Sequence, residues 1–230
     1  MSFTGRISTG IDGLDDLTEG GFIRGDVILV VGGTGTGKTI FSTQFICNGA
    51  TRHGEKGVYV SFEEDHETLK RNMLKFGFDL DKLEHEGMIK VLDLLVLREE
   101  GFEANIHTIL EALKEIDAKR LVIDSLTAFL FACGGKFDYR MIMHLFCKML
   151  KMRNITAIMT CSIPTGAKTI GLGIEEFVAD SLIVLENVID NLELKTRILI
   201  RKMRSTNHSR KYHAAVIAQS GLKIMPFPLV

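Results

Sequence analysis

Residues 25–45 read GDVILVVGGTGTGKTIFSTQF. An apolar run from Val27 to Val31 gives way to Gly32, Gly33, Gly35 and Gly37, interleaved with Thr34 and Thr36, before Lys38, Thr39 and a second apolar pattern. One glycine suffices to reverse a strand; four in six positions ask for another reason. The spacing from Gly32 through Gly37-Lys38-Thr39 is that of a phosphate-binding P-loop, with the required strand before it and helix after it. Glycines allow positive φ and let successive N–H groups converge on one point. The start of the following helix adds to that concave anion site. Thr34, Gly35, Thr36, Gly37, Lys38, Thr39 and Ile40 are therefore the candidate nucleoside-triphosphate contacts. Lys38 is placed to reach the terminal phosphates as a point charge, and the Thr39 hydroxyl to ligate Mg²⁺.

At 230 residues, 46% hydrophobic and 25% charged, the chain suits one folded α/β domain spanning 1–230 rather than a disordered chain. No apolar run reaches the ~18 residues of a membrane span, and MSFTGRISTG lacks a secretory signal's apolar stretch, so no membrane role is expected. Cys47, Cys133, Cys147 and Cys161 form no C-x-x-C pair, which points to buried free thiols in a reducing cytoplasm. The net charge of −1 conceals an asymmetry. Leu194–Val230 holds eight basic residues and no acid, leaving 20 basic against 29 acidic side chains elsewhere. Such a basic end is expected to meet an anion: a nucleic acid, a bound phosphate, or the acidic body of another copy.

Apolar runs alternate with helical patterns. Strands are expected at Val27–Val31, Gly57–Phe62, Ile89–Asp93, Arg120–Asp124 and Ile155–Thr160. Helices are expected at Lys38–His53, His66–Phe76, Ala104–Asp117 and Asp138–Met152. This alternation predicts a mostly parallel sheet covered on both faces. Leu182–Glu186, Thr196–Met203, Tyr212–Ala218 and Leu222–Met225 then follow with little helix between them, as an antiparallel extension. The methionine-rich stretch MIMHLFCKMLKM reads as a core helix packed on both sides rather than a partner groove.

In P-loop ATPases a hydrophobic strand ending in Asp holds Mg²⁺; RLVIDS supplies one, with Asp124 at its end. Such strand ends gather at the same sheet edge as the P-loop. Glu63 and Glu64 close VYVSFEE, and side chains alternate along a strand. One of the pair can thus face the terminal phosphate and polarise a water. Glu63 is the preferred base, with Glu64 tuning it.

The stretches TGIDGLDDLTEGGFIRGDVILVVGGTGTGKT, GEKGVYVSFEE, RLVIDSLTAFL, GIEEFVADSLIVLENV and KMRSTNHS resemble, nearly end to end, the RecA-type ATPases and most closely the KaiC family. The P-loop is common to a superfamily; the paired Glu, EEFVAD and the K-x-R-x-x-x-H run are more specific. The resemblance implies a RecA-like fold and a homo-oligomeric ring, most often a hexamer, with ATP between subunits. It further implies that Lys202, Met203, Arg204, Thr206 and His208 reach the nucleotide held by the neighbouring copy. The family's clock protein carries two such domains and this chain one, so autokinase activity and clock function are not carried over. TCSIPTGAK stands where an acidic sequence is expected, which leaves open a phosphate-sensing role for Thr160 or Ser162.

The leading expectation is an Mg²⁺-dependent ATPase ring serving signalling through a regulatory partner of unknown identity. A RecA-type recombination motor is the first alternative. Its nucleic-acid loops would be Phe131–Arg140 and Ile163–Gly173, where Lys136, Arg140 and Lys168 offer a weakly basic surface, and phosphate contacts supply most such affinity. A non-hydrolysing, ATP-gated scaffold is the second.

Overall fold

The computed structural model describes residues 5–94, 102–132, 139–163 and 179–226. Val27–Gly32 (β3) is buried along its whole length, as a parallel strand with helices on both faces must be. Around it the chain runs Arg6–Ile7 (β1), Phe22–Ile23 (β2), then from β3 into Lys38–His53 (α1), Gly57–Ser61 (β4), His66–Leu74 (α2), Leu80–His85 (α3) and Ile89–Asp93 (β5). Phe102–Glu115 (α4), Arg120–Asp124 (β6), Leu126–Ala132 (α5), Tyr139–Met152 (α6) and Thr156–Ser162 (β7) follow. Ser181–Asp190 (β8), Glu193–Met203 (β9), His213–Ala218 (β10) and Gly221–Pro226 (β11) complete it.

Nine strands form one sheet in the order β11-β10-β9-β8-β3-β7-β6-β4-β5, while β1 and β2 pair separately as a small flap. From β8 to β5 neighbouring strands are parallel; β9, β10 and β11 extend the sheet antiparallel. The first C-terminal strand therefore differs from expectation: β8 lies parallel to β3 and only β9–β11 reverse.

The period-2 alternation of the strands sorts side chains into two cores. Leu29, Val31, Val60, Leu121, Ile123 and Met159 face α4, α5 and α6. Ile28, Val30, Tyr59, Val122 and Ile158 face α1, α2 and α3. A fully buried Arg120 at the start of β6 ties this second layer together. It reaches the carbonyls of Phe45 (2.8 Å) and Ser8 (3.0 Å), pairs with Glu55 (2.7 Å), and lies over the Phe45 ring.

The methionine-rich helix α6 corrects the sequence reading. Met143, Phe146, Cys147 and Leu150 are buried, but Met141, Leu145, Met149 and Met152 form an exposed apolar row at helical spacing on the other side. Cys47, Cys147 and Cys161 are buried free thiols, and burial pushes Cys47 and Cys147 up to about 12; Cys133 lies outside the described residues. Among those residues no helix is long and apolar enough to cross a membrane.

Candidate active site

The turn after β3 is shaped by its glycines. A side chain at Gly32 would run into the Leu185 carbonyl of β8 at 2.5 Å and the Thr36 hydroxyl at 2.6 Å. Gly35 and Gly37 hold φ of +74° and +89°, which favour glycine, and a Cβ at Gly35 would meet nothing within 4 Å. The loop is thus closely packed underneath and open above, the shape of a cradle. Gly37 caps α1 without a side-chain acceptor, so the first N–H groups of α1 point outward with the positive end of the helix dipole. Ile217 of β10 packs beneath Gly37, a support from the distant C-terminal hairpin that no local signal predicts.

Lys38 Nζ spans the mouth of the loop, donating to the carbonyls of Gly32 (3.0 Å) and Gly33 (2.9 Å). Burial pulls its ammonium below the usual lysine range, against the charges of Asp124 and Glu63. Both acids therefore lie within electrostatic reach of Lys38, as the sequence reading expects.

Asp124 ends β6 and is buried. Its Oδ2 accepts from the Tyr59 hydroxyl at 2.8 Å, and its Oδ1 from the Thr160 hydroxyl. Thr160 is fully buried beside it, so its hydroxyl orients the carboxylate and is spent there, which answers one half of the open sensing question. Ser162, on the same strand, is half-buried and its N–H donates to Thr127 Oγ1 at 3.2 Å.

Glu63 and Glu64 differ from expectation in their backbone. β4 ends at Ser61, so both sit in the turn before α2 rather than on the strand. They nonetheless diverge: Glu63 is exposed and accepts from Ser125 Oγ, whereas Glu64 is half-buried. Glu64 Oε2 is buried without a hydrogen-bond partner. Burial pushes the Glu64 carboxyl above the usual range, Asn72 opposing and the charges of Asp124, Asp65 and Glu63 adding. Ser125 and Tyr59 are the residues sequence reading missed, and it named Thr160 for phosphate sensing rather than for holding Asp124; the three come from separate parts of the chain and carry no spacing signal.

The basic C-terminal set lies elsewhere. Lys202 pairs with Leu182, which pairs with Leu29, three residues before Gly32, or roughly 10 Å back from the P-loop. Beyond Met203 the chain continues away: Arg204 N–H donates to the Asp180 carbonyl and Ser209 N–H to that of Leu17. Lys202 Nζ donates to the Ala179 carbonyl at 2.7 Å. Arg204 meets Asp180 at 3.4 Å, Thr206 Oγ1 accepts from Arg6 at 3.2 Å, and the His208 ring donates from Nδ1 to the Ser209 carbonyl at 3.0 Å. Met203 is buried. The five residues therefore collect at the opposite end of the sheet from Lys38.

At that end Asp180 accepts from Val27 N–H at 3.0 Å and pairs with Lys151 at 2.6 Å. Burial, with Asp180 adding, pushes nearby Asp26 up to about 6, against Lys151, Arg204 and Arg6. The basic tail is also partly matched within its own chain, since Lys195 pairs with Asp190 and Arg197 with Glu186. Its acids lie just upstream on β8, and the hairpin folds one onto the other. Residues 133–138 and 164–173 of the two loops expected to face nucleic acid lie outside the described residues, as does most of EEFVAD.

No group of three or more His, Cys, Asp or Glu suited to a metal occurs among the described residues. A hollow of about 510 Å³ lies between the second half of α1, the α2–α3 turn and the β10–β11 turn, and includes no P-loop residue.

Comparison with known proteins places this geometry. The KaiC ATPase family model matches residues 7–228. The circadian clock oscillator protein KaiC of Parathermosynechococcus lividus is 34% identical over 95% of this chain, which spans only 42% of that protein. A UPF0273 protein of Pyrococcus furiosus is also 34% identical, over 96% of this chain and 94% of its own length. The crystal structure of a KaiC-like protein from the hyperthermophilic archaeon Pyrococcus horikoshii superposes with a TM-score of 0.88 at 40% identity, covering 96% of this chain and 99% of that one.

Proposed function

Because this chain belongs to the KaiC family of ATPases, we propose that residues 1–230 form one RecA-like domain that binds and hydrolyses ATP in a homo-oligomeric ring, with each triphosphate held between two copies. The observation that carries this reading is the separation within one sheet. Lys38 and Asp124 stand at the C-terminal ends of the parallel strands, while Lys202 and Arg204 stand at the opposite end. One copy cannot bring both sets to one nucleotide; two copies stacked head to tail can, and such contacts form a ring when the rotation between copies closes.

The residues suit ATP with Mg²⁺. The cradle is open above Gly35, and its N–H groups and the dipole of α1 favour phosphate. Thr39 and Asp124 offer hard oxygen donors, and each Asp124 oxygen accepts one hydrogen bond and so keeps a further lone pair. Mg²⁺ is commonly held by one or two protein oxygens plus phosphates and waters. When bound it would neutralise charge on the β- and γ-phosphates.

The chain's own groups account for the rest. Lys38 exchanges its carbonyl partners for phosphate oxygens, and Tyr59 and Thr160 hold Asp124 in one orientation. Glu63, positioned by Ser125, takes the proton from the attacking water as its oxygen bonds to Pγ and the Pγ–O bond to ADP breaks. Glu64, its carboxyl held above the usual range by burial, lies beside that base and shapes the water around it. Lys202 and Arg204 of the neighbouring copy meet the charge developing on the leaving phosphate, as an arginine finger does, and Thr206 and His208 complete the contact while the buried Met203 anchors the segment from beneath. The buried thiols fit a reducing cytoplasm, and the output is taken to be regulatory.

The test is native mass with and without ATP–Mg²⁺, together with phosphate release. Nucleotide-dependent assembly, and release abolished in a Glu63→Gln/Glu64→Gln variant, support the reading. A monomer under saturating ATP contradicts the ring, and release unchanged in the double variant contradicts the catalytic assignment.

A further inference from the structure

The β8–β9 hairpin overshoots the rest of the sheet. β8 pairs with β3 only as far as Leu185, opposite Gly32, yet continues to Asp190, about 16 Å farther at strand spacing. Over that length its burial fades from buried to exposed. The tip carries Ile189, Leu192 and Leu194 at 79%, 99% and 69% exposure.

The turn itself is costly as built. Asp190 pairs with Glu193 across a two-residue loop of Asn191 and Leu192, both at positive φ (+49° and +64°). Such loops favour Asn followed by Gly, because a Cβ is strained in the left-handed region. Leucine at the second position is both strained and almost wholly in water. Neither folding nor solubility is served by it, which points to a contact outside the subunit.

A matching surface lies at the other end of the sheet. Between the end of α4 and the α6–β7 turn is a hollow of about 400 Å³, floored by Leu113, Ala118 and Ile155, which are buried in the core beneath it, and walled by Lys114, Lys119 and Arg153. Asp117, bonded to Lys119 at 2.7 Å, is its one acid. Met152, the exposed last residue of α6, precedes Arg153 in the chain. The tip brings the opposite balance, Asp190 and Glu193 against Lys195.

Hollow and tip sit roughly 30 Å apart along one sheet, at opposite ends, so a copy cannot fill its own hollow. The hairpin projects past the P-loop end, and the hollow shares the end that carries Lys202 and Arg204. We propose that the β8–β9 turn of one copy docks head to tail into the basic, apolar-floored hollow between α4 and the α6–β7 turn of the next. Leu192 packs on the aliphatic stems of Lys114 and Lys119 over the buried floor of Leu113, Ala118 and Ile155, and Glu193 meets Lys119 and Arg153. The contact rests on the ring reading above and adds to it a second clasp, away from the nucleotide.

Light scattering over a protein dilution series, with Mg²⁺ and a slowly hydrolysed ATP analogue, tests it. Leu192→Gly relieves the strained turn, so thermal stability of the monomer should hold or rise. The protein concentration for half-assembly should nonetheless climb about tenfold or more, the equivalent of ~1.4 kcal/mol. Glu193→Lys and Arg153→Glu should each impair assembly with nucleotide binding kept, and the two combined in one chain should recover it. Assembly of Leu192→Gly and Glu193→Lys at the wild-type concentration overturns the docking while leaving the ring intact. Single charge variants that fail and are not rescued in combination overturn this pairing. A wild-type chain that binds the analogue and stays monomeric overturns the ring itself, and the docking with it.

Discussion

The two ends of the central sheet are built from the same strands and charged in different ways. At the C-terminal end, backbone N–H groups, Lys38 and the acids Asp124, Glu63 and Glu64 crowd within electrostatic reach of one another, and burial shifts Lys38 down, against the field of the acids, and Glu64 up. At the N-terminal end, Lys202, Arg204 and Lys151 are tethered by Ala179 and Asp180. On the proposed reading the first end binds and activates the triphosphate, with Lys38 as its lysine among the described residues; the second offers cations and no cradle. Each has what the other lacks, and the rigid sheet between them prevents one copy from joining the two.

The sharpest way to break this contrast is to remove a cation from the end that holds no nucleotide. Arg204→Ala should lower ATP turnover by about 10³-fold or more, the scale of a lost arginine finger, in steady-state phosphate release. Unaltered turnover would mean the N-terminal end takes no part. Next in size, Glu63→Gln should cost about 10² to 10⁴ in turnover with ATP affinity kept. Glu64→Gln should cost less and alter the acid side of the pH–rate profile, because burial holds the Glu64 carboxyl above the usual range. An unmoved profile would separate the two carboxylates.

Stability distinguishes the ends further. Arg120→Ala removes a buried cation from the Phe45 and Ser8 carbonyls and leaves Glu55 with Arg24 as its partner, and should cost about 3 to 5 kcal/mol in urea unfolding. The smallest effect belongs to Asp26. Its pKa is raised from 3.8 to about 6 in the folded chain, so the unfolded chain gives up its proton first. Asp26 therefore favours folding below pH 4, and that advantage is lost as pH rises through about 6. Asp26→Asn should stabilise the fold at pH 7.5 by about 1 kcal/mol, discounted for its partial solvent exposure, and should make no difference below about pH 4.

How far the sequence carries can be read from particular elements. α1, β5 and β6 begin and end where periodicity and flanking glycines or charges place them. α3 and α5 escaped notice because six or seven residues are too few to establish a helical period. The β1–β2 flap has two residues a side and no pattern at all. The Met-rich helix α6 misleads because composition reports hydrophobicity and not which side is covered. At the site, the P-loop residues and Asp124 are legible since their signals are local. Tyr59, Ser125 and Thr160 are not: they meet Asp124 and Glu63 only through the ordering of β4, β6 and β7. The opposition of the two cation sets is likewise a matter of strand direction, set by the parallel pairing of β8 with β3 and the return of β9.

The central claim, a triphosphate shared between two copies, is tested most directly by mixing two crippled chains. Lys38→Ala lacks the cradle's lysine and Arg204→Ala lacks the arriving cation, so each alone should release phosphate at background. Mixed in equal amounts, random head-to-tail assembly unites an intact cradle with an intact Arg204 at roughly a quarter of the boundaries, and turnover should recover to about that share of wild type. Turnover that stays at background in mixtures shown to co-assemble would contradict the account.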